Sequence, residues 1–428
     1  MRQILLAMLL AVCAATVAQG QPARLSDKDI VEAYQYMLGR WLVLRQETLD
    51  VKEGLKWNEV KHREPGGVAW ANPNLDVAYS EAWVAVDDTS CTLVDLPEIK
   101  GRYYTVQVLN GWGEVLANIN ERNFPRHPFG TFALCLKGAK VSLPKDTQRI
   151  DLPTKKSRVL MRVELGADPA AATALQKKIT MKATGSPKVE PTAAAFDFPN
   201  NKLPGIEAFD KTEEILASEP DINKGMAPLQ RKARAVAKAA GDPKERARID
   251  DVIQKQATPG FFAALKTLGS KVNGWMHPRI VGNYGGDYLM RSLVNFGGIW
   301  ANNAKEAVYF VGQGFDGSQT YIQTYPKNAL PGSKVRYFWS VIAVDEAEFK
   351  VIPNPLNRFL LNKQSALQFT ADGSLTLAFG PKQPEGIPHS NWLPTPDGKK
   401  YDMTYRFYGP APDVVSGKYY PPALVVKK

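Results

Sequence analysis

Cysteine is scarce, with three residues in 428, too few for a disulfide-built scaffold or a thiolate zinc module. Histidine numbers four, and no HExxH, G-x-S-x-G or P-loop spacing occurs. Past the first twenty residues no apolar run approaches the ~20 needed to cross a bilayer, so the chain reads as not membrane-spanning. The 33 Gly and 31 Pro follow no collagen period. With 44% hydrophobic and 23% charged residues, wholesale disorder is excluded. The length suits roughly two or three domains at about 150 residues each.

Met1–Gly20 has the pattern of a secretory signal. Arg2 supplies the positive region, Ile4 to Val17 the apolar stretch, and Ala18-Gln19-Gly20 a small-x-small cleavage site. Val12 before Cys13 argues against lipid attachment there. The expected location is periplasmic or secreted, after signal removal. Cys91 and Cys135 would then be the remaining thiols. They either form a bridge, as an oxidising compartment permits, or serve as two small buried hydrophobes on strands; the second reading is favoured.

The net charge is +11, partly concentrated in Arg231–Arg248. Nucleic acid is the usual partner for such a stretch. Export and the lack of interleaved aromatics for base stacking argue against it, which leaves a solvated helix face as the first reading and attraction to an anionic envelope surface as the second.

Ser26-Asp27-Lys28-Asp29 resembles a capping box. Ile30, Tyr34, Met37, Leu38, Trp41 and Leu42 follow as one apolar stripe on a helix of about twenty residues. Short β-branched and aromatic runs come next: Val77–Val86, Cys91–Leu96, Tyr103–Leu109, Thr131–Leu136 and Val159–Leu165. Their turn-rich spacing predicts a sandwich rather than βαβ units.

From Gly166 the pattern turns helical. Asp168-Pro169, Asp242-Pro243 and Thr258-Pro259 each set an N-cap residue before a proline. Gly185–Pro204 reads as an exposed crossing loop. Strands return from Ala307, the clearest being Val335–Val344 and Tyr401–Tyr408. In the latter, Tyr401, Met403, Tyr405 and Phe407 share one face. Asp372-Gly373 predicts a hairpin between Leu367–Thr370 and Leu375–Phe379.

Gly312-x-Gly314-x-x-Gly317 matches the dinucleotide fingerprint by letters, but a strand-like Ser318–Thr324 follows where a helix is required. Asn72-x-Asn74-x-Asp76 opens like a calcium loop, yet Val77 and Trp83 stand where Gly and Glu belong. It reads as a turn before a strand. His62, His127, His277 and His389 lie far apart. No metal, cofactor or paired catalytic carboxylates are indicated.

Two groups of motifs carry a resemblance. Asn72-Pro73-Asn74-Leu75-Asp76-Val77-Ala78-Tyr79-Ser80, followed by Gly101-Arg102-Tyr103-Tyr104-Thr105-Val106-Gln107, resembles domain of unknown function 1254. Phe338-Trp339-Ser340, Asn354-Pro355-Leu356-Asn357-Arg358-Phe359, Asp372-Gly373-Ser374-Leu375, Asn391-Trp392-Leu393-Pro394 and Arg406-x-Tyr408-Gly409-Pro410 resemble its companion, domain of unknown function 1214. One departure is Asn118–Gly130, which replaces that family's glycine-containing turn. The resemblance implies an exported, two-β-domain envelope protein and no established reaction, so whether the chain is an enzyme stays open.

The expected fold is multidomain α+β, with two antiparallel sandwich-like domains separated by a mainly helical region. Residues 1–20 are the signal, 21–166 a helix plus β-domain, 167–290 mainly helical and 291–428 the second β-domain. Two functions remain: binding or processing of a small polar or carbohydrate-like ligand, and a structural or oligomeric envelope role, with a homo-oligomer left open. For binding, the candidates are Asn354, Asn357, Arg358, His389, Asn391, Trp392, Arg406 and Tyr408 at the C-terminal end, with Asn74, Asp76 and Tyr79. Their amides, indole and guanidiniums suit hydroxyl- or carboxylate-bearing ligands. Arg406 and Tyr408 sit on the polar strand face, and the partners expected for Arg406 are in the 354–358 and 389–392 segments.

Overall fold

The computed structural model describes residues 25–67, 72–189, 197–199, 202–278 and 280–427. The signal-like segment and part of the 185–204 loop lie outside them.

Helix α1 (Asp27–Lys52) starts where expected, with Ser26 Oγ accepting from Asp29 N. The single apolar stripe is corrected: residues 33–44 are buried on all sides, including Gln35 and Arg40. The cause is tertiary. The helix runs through the middle of a helical layer made by α4 (Ala227–Ala239), α5 (Pro243–Val252), α6 (Thr258–Leu265) and α7 (Tyr288–Gly298). Gly39 permits close approach to α7, since a Cβ there would lie 2.8 Å from Ser292 Oγ.

Asp168 caps α2 (Pro169–Lys177) and Asp242 caps α5. Thr258-Pro259 starts no new helix. A π-turn over Ile253–Ala257 joins α5 directly to α6, and such a widened turn accommodates a proline inside a continuous helix. The basic stretch is a paired surface: Lys232 meets Glu32 and Asp29, Arg234 Glu213, Arg246 Asp210, and Arg248 Asp27 and Glu245.

The N-terminal β-domain is two facing sheets. One has the order β1 (Lys61–His62), β2 (Val77–Ala85), β8 (Lys156–Glu164), β4 (Tyr104–Leu109), β5 (Val115–Ile119). The other runs β7 (Gln148–Leu152), β6 (Gly130–Leu136), β3 (Thr92–Leu96), β9 (Thr180–Ala183). All pairs are antiparallel except β6–β7. Val84, Val106, Phe132, Leu134, Met161 and Val163 fill the space between. Strand β9 brings the chain back to this domain after α2, beyond residue 166.

Cys91 and Cys135 are bridged, with a Cα separation of 4.5 Å. The expectation of two free hydrophobes is therefore corrected. The register Thr92↔Leu134 sets the two cysteines directly opposite each other, within the Cα range a disulfide spans.

The C-terminal β-domain repeats the plan. Its larger sheet has the order β10 (Gly269–Val272), β11 (Trp275–Pro278), β12 (Ala307–Asp316), β18 (Lys400–Pro410), β14 (Val335–Asp345), β15 (Leu360–Asn362). The smaller runs β17 (Trp392–Pro394), β16 (Leu375–Gly380), β13 (Tyr321–Tyr325), β19 (Val425–Val426). Tyr401, Met403, Tyr405 and Phe407 point together into the core between them. The Gly312–Gly317 segment contains a bulge in β12 and a turn, and a strand follows it. Asp372-Gly373 forms its turn, but residues 367–370 make no strand. Instead the Asn391 side chain bonds the Gln368 backbone in both directions, at 2.8 and 2.7 Å.

The β2–β8–β4 sheet and the β12–β18–β14 sheet turn their remaining faces toward each other. Strands β8 and β18 are therefore buried almost throughout on both sides. This seam between domains is where the motif residues concentrate.

Candidate functional site

The seam is polar and aromatic. Asn74 Nδ2 donates to Tyr408 Oη at 2.8 Å, and the Tyr309 and Tyr408 hydroxyls are 3.1 Å apart. Tyr408 stacks on Phe338 at 4.4 Å and meets the edge of Tyr103 at 4.8 Å. The Asn72–Asp76 turn forms locally, as Asn74 Oδ1 accepts from Asp76 N at 3.0 Å. Asp76 Oδ1 then accepts from Asn362 Nδ2 at 2.7 Å. Burial pushes the Asp76 carboxyl up, opposed by Ser340, Asn362 and the Arg406 charge. Burial also pushes the Tyr408 and Tyr103 phenols well up, so both are neutral donors at ordinary pH.

Arg406 is 3% exposed. Its Nη2 donates across the seam to Asn72 O at 2.9 Å, while Nη1 has no partner among the described residues. The bonds recorded for it do not go to the 354–358 or 389–392 segments, because that face of β18 looks toward the first domain. Arg162, from β8, is 5% exposed and lies under the half-buried Tyr79 ring at 5.6 Å. It donates to Gln107 Oε1 and Trp300 O.

The other candidates form a second set, around β15–β17. Asn354 closes its own loop through Arg358 N and O. Asn357 is an exposed turn residue with φ +48°. Arg358 Nη1 donates to His389 O at 2.6 Å and Trp392 O at 2.9 Å, with Nη2 3.2 Å from His389 Nδ1. Asn391 also donates to Thr376 O, and Trp392 Nε1 to Gly380 O. These groups brace irregular backbone, which cannot pair as a ladder. The structure thus joins Asn74, Asp76, Tyr79, Arg406 and Tyr408 at the seam. It gathers Asn354, Asn357, Arg358, His389, Asn391 and Trp392 elsewhere.

Sequence reasoning missed the strongest links between domains. Glu306, 2% exposed, takes donors from Tyr103 Oη, Asn120 Nδ2, Asn123 Nδ2 and Arg122 Nη2, the last at 2.6 Å. Asn118 and Asn302 exchange reciprocal amide bonds at 3.0 and 2.8 Å. Four of these residues, Asn118, Asn120, Arg122 and Asn123, come from the diverged Asn118–Gly130 segment, whose density of Asn and Arg was its only signal. Equally unforeseen is the Asn110–Glu114 hairpin loop, which inserts Trp112 into the helical layer. There Trp112 lies 4.4 Å beneath the buried Arg291 guanidinium, itself paired with Asp221 at 2.8 Å and Glu114 at 3.6 Å.

Two surface concavities occur away from the seam. One of about 440 Å³ is bordered by Ser26, Asp27, Arg248 and Asp251. The other, about 410 Å³, is bordered by Trp57, Asn58, Met181 and Pro187. Among the described residues no group of three or more His, Cys, Asp or Glu is placed to hold a metal. No described helix is long and apolar enough to cross a membrane.

Fold and seam define a class: a double-sandwich protein with a helical layer and a buried polar interface between its β-domains. Residues 57–183 match the family model "Protein of unknown function (DUF1254)", and residues 306–412 match "Protein of unknown function (DUF1214)". The chain belongs to the proteins that carry these two domains in that order. It is similar to the crystal structure of the VPA0106 protein from Vibrio parahaemolyticus, with a TM-score of 0.62 and 19% identity. That match covers 94% of this chain and all of the other, and the likeness is one of fold. An uncharacterized protein from Burkholderia cenocepacia matches over 94% of this chain and 95% of its own, with 13% identity and a TM-score of 0.49. No curated protein matches the chain.

Proposed function

We propose that the chain is an exported envelope or periplasmic protein that binds a small polar ligand at the seam between its two β-domains. The observation that carries the reading is the meeting of motif residues from both domains, Asn74, Asp76 and Tyr79 with Arg406 and Tyr408. Within that group Arg406 keeps a buried N–H without a partner among the described residues. Buried polar groups are normally satisfied, so an orphan donor at such a junction marks a place for a ligand atom. Export is supported by the signal-like first twenty residues and by the Cys91–Cys135 bridge, a feature of oxidising compartments.

A thermal-shift panel of cell-wall sugars, sugar acids and small organic acids tests the reading. A ligand at about 100 times its Kd adds roughly 2.7 kcal/mol. A hit should be lost in Arg406→Ala while the variant stays folded. No hit across the panel would count against binding.

A structural envelope role is the second reading, favoured by the Glu306 and Asn118–Asn302 links. These satisfy one another inside the fold and hold the domains together. It predicts that substitutions at Glu306 change stability without touching any ligand response.

A further inference from the structure

The buried arginines of this protein are not treated alike. Arg158 lies between Asp50 at 3.2 Å and Glu81. Arg291 has Asp221 and Glu114, and the half-buried Arg122 has Glu306. Arg162 and Arg406, like Arg40, instead donate to neutral acceptors: Gln107, Trp300 O and the Tyr79 hydroxyl for Arg162, and Asn72 O for Arg406. Asp76 is an acid within electrostatic reach of Arg406; its Oδ1 accepts from Asn362, and its Oδ2 has no partner among the described residues. A buried guanidinium without a counter-charge is costly. Here Arg162 is the cross-strand neighbour of Tyr79 and lies under its ring, Arg406 is the cross-strand neighbour of Tyr309, and both cations act on the Tyr79 hydroxyl.

Several donors meet around that point, beside two acceptors, Asp76 Oδ2 and Asn72 Oδ1, that have no partner among the described residues. Arg406 Nη1 and Arg162 Nε are both buried and without a partner among the described residues. The Tyr309 hydroxyl lies against Tyr408, whose oxygen already accepts from Asn74. Tyr79 and Tyr309 are only half-buried, so the cluster lies near solvent on one side. Paired guanidiniums with phenol donors form the chemistry that takes an oxyanion, because charge-assisted bonds to arginine are the strong ones.

We infer that the seam ligand is a small oxyanion, a carboxylate or a phosphate group, held between Arg162 and Arg406 with Tyr79 and Tyr309 at its outer side. This rests on the reading of the seam as a binding site and narrows it to one ligand class.

The test is thermal unfolding and calorimetric titration of the purified full-length protein with sodium phosphate, sodium acetate and neutral N-acetylglucosamine, at ionic strength fixed with sodium chloride. Phosphate or acetate should raise Tm by a few degrees at about 100 times its Kd, and the better of the two identifies the oxyanion. The response should vanish in Arg406→Gln and weaken at least several-fold in Tyr309→Phe, a milder change at a half-buried site. Should Arg406→Gln fail to fold, Tyr309→Phe and the charge-keeping Arg406→Lys decide by their titrations. Equal responses in wild type and variants would mean a general salt effect and overturn the inference. Binding of the neutral sugar, lost in Arg406→Gln, with no anion response would overturn the oxyanion assignment and leave the seam reading standing. No response to any probe, in Tm or heat, would overturn both.

Discussion

Removing the Cys91–Cys135 bridge is the perturbation whose size follows most directly from the structure. The bridge joins residues 44 apart in sequence. In the chain-entropy model, closing a loop of about that length removes roughly 4 kcal/mol of unfolded-state freedom. Both cysteines are fully buried beside Leu93 and Ala133, so their packing survives if the sulfurs separate. The β3–β6 ladder holds the register without the bond. The reduced protein should therefore stay folded but lose about 3–4 kcal/mol. Urea unfolding followed by fluorescence, with and without reductant and with a Cys91→Ala/Cys135→Ala variant, reads this as a lower midpoint at similar slope. Thiol titration of the denatured, unreduced chain beginning at Gln21 should find no free thiol. A midpoint unchanged by reduction, or two titratable thiols, would refute the reasoning.

Glu306→Ala should cost about 3–5 kcal/mol, because it strands the half-buried Arg122 and two amides; calorimetry should show the single transition splitting as the domains uncouple. Burial raises the Asp402 carboxyl to about 6, with Glu346 and Asp345 adding to the effect and Gly314 N opposing it. The folded state therefore binds more protons than the unfolded one between about pH 4 and 6, and stability falls as pH rises through that window, by up to about 3 kcal/mol. Asp402→Asn, which can still accept from Gly314 N, should flatten this decline and gain stability at pH 7 in urea titrations. Gly113→Ala should destabilise by about 1–3 kcal/mol in the same assay, since φ is +80° and the new Cβ would meet Asn295 Oδ1 at 2.5 Å.

Much of the fold was legible from local pattern. The β-branched runs from Val77 to Leu165 all became strands, and the alternation of Tyr401–Tyr408 assigned the core side of β18 correctly. Asp168-Pro169 and Asp242-Pro243 marked helix starts because N-cap chemistry is local. Features decided by distant partners were not legible. The all-round burial of α1 depends on four helices arriving more than 170 residues later. Thr258-Pro259 looks like a third helix start, and only the tertiary continuity of α5 and α6 makes it a π-turn. The cysteine pairing needed the β3–β6 register, which no residue type announces. For the site, the motifs named Asn74, Asp76, Tyr79, Arg406 and Tyr408, yet gave no hint that they face one another across two domains. Arg162 lay within the Val159–Leu165 strand run and, like Glu306, stood outside every motif. Both acquire their importance only when the sheets meet.

The most direct measurement is mass spectrometry of the purified, extensively dialysed protein, native and then denatured, alongside Arg406→Gln prepared identically and titrated with phosphate and acetate. The account predicts a small oxyanion adduct in the native wild-type spectrum, retained from purification or formed on titration, lost on denaturation and absent from the variant. Wild type and variant showing the same adducts, or none at any concentration of either anion, would contradict it.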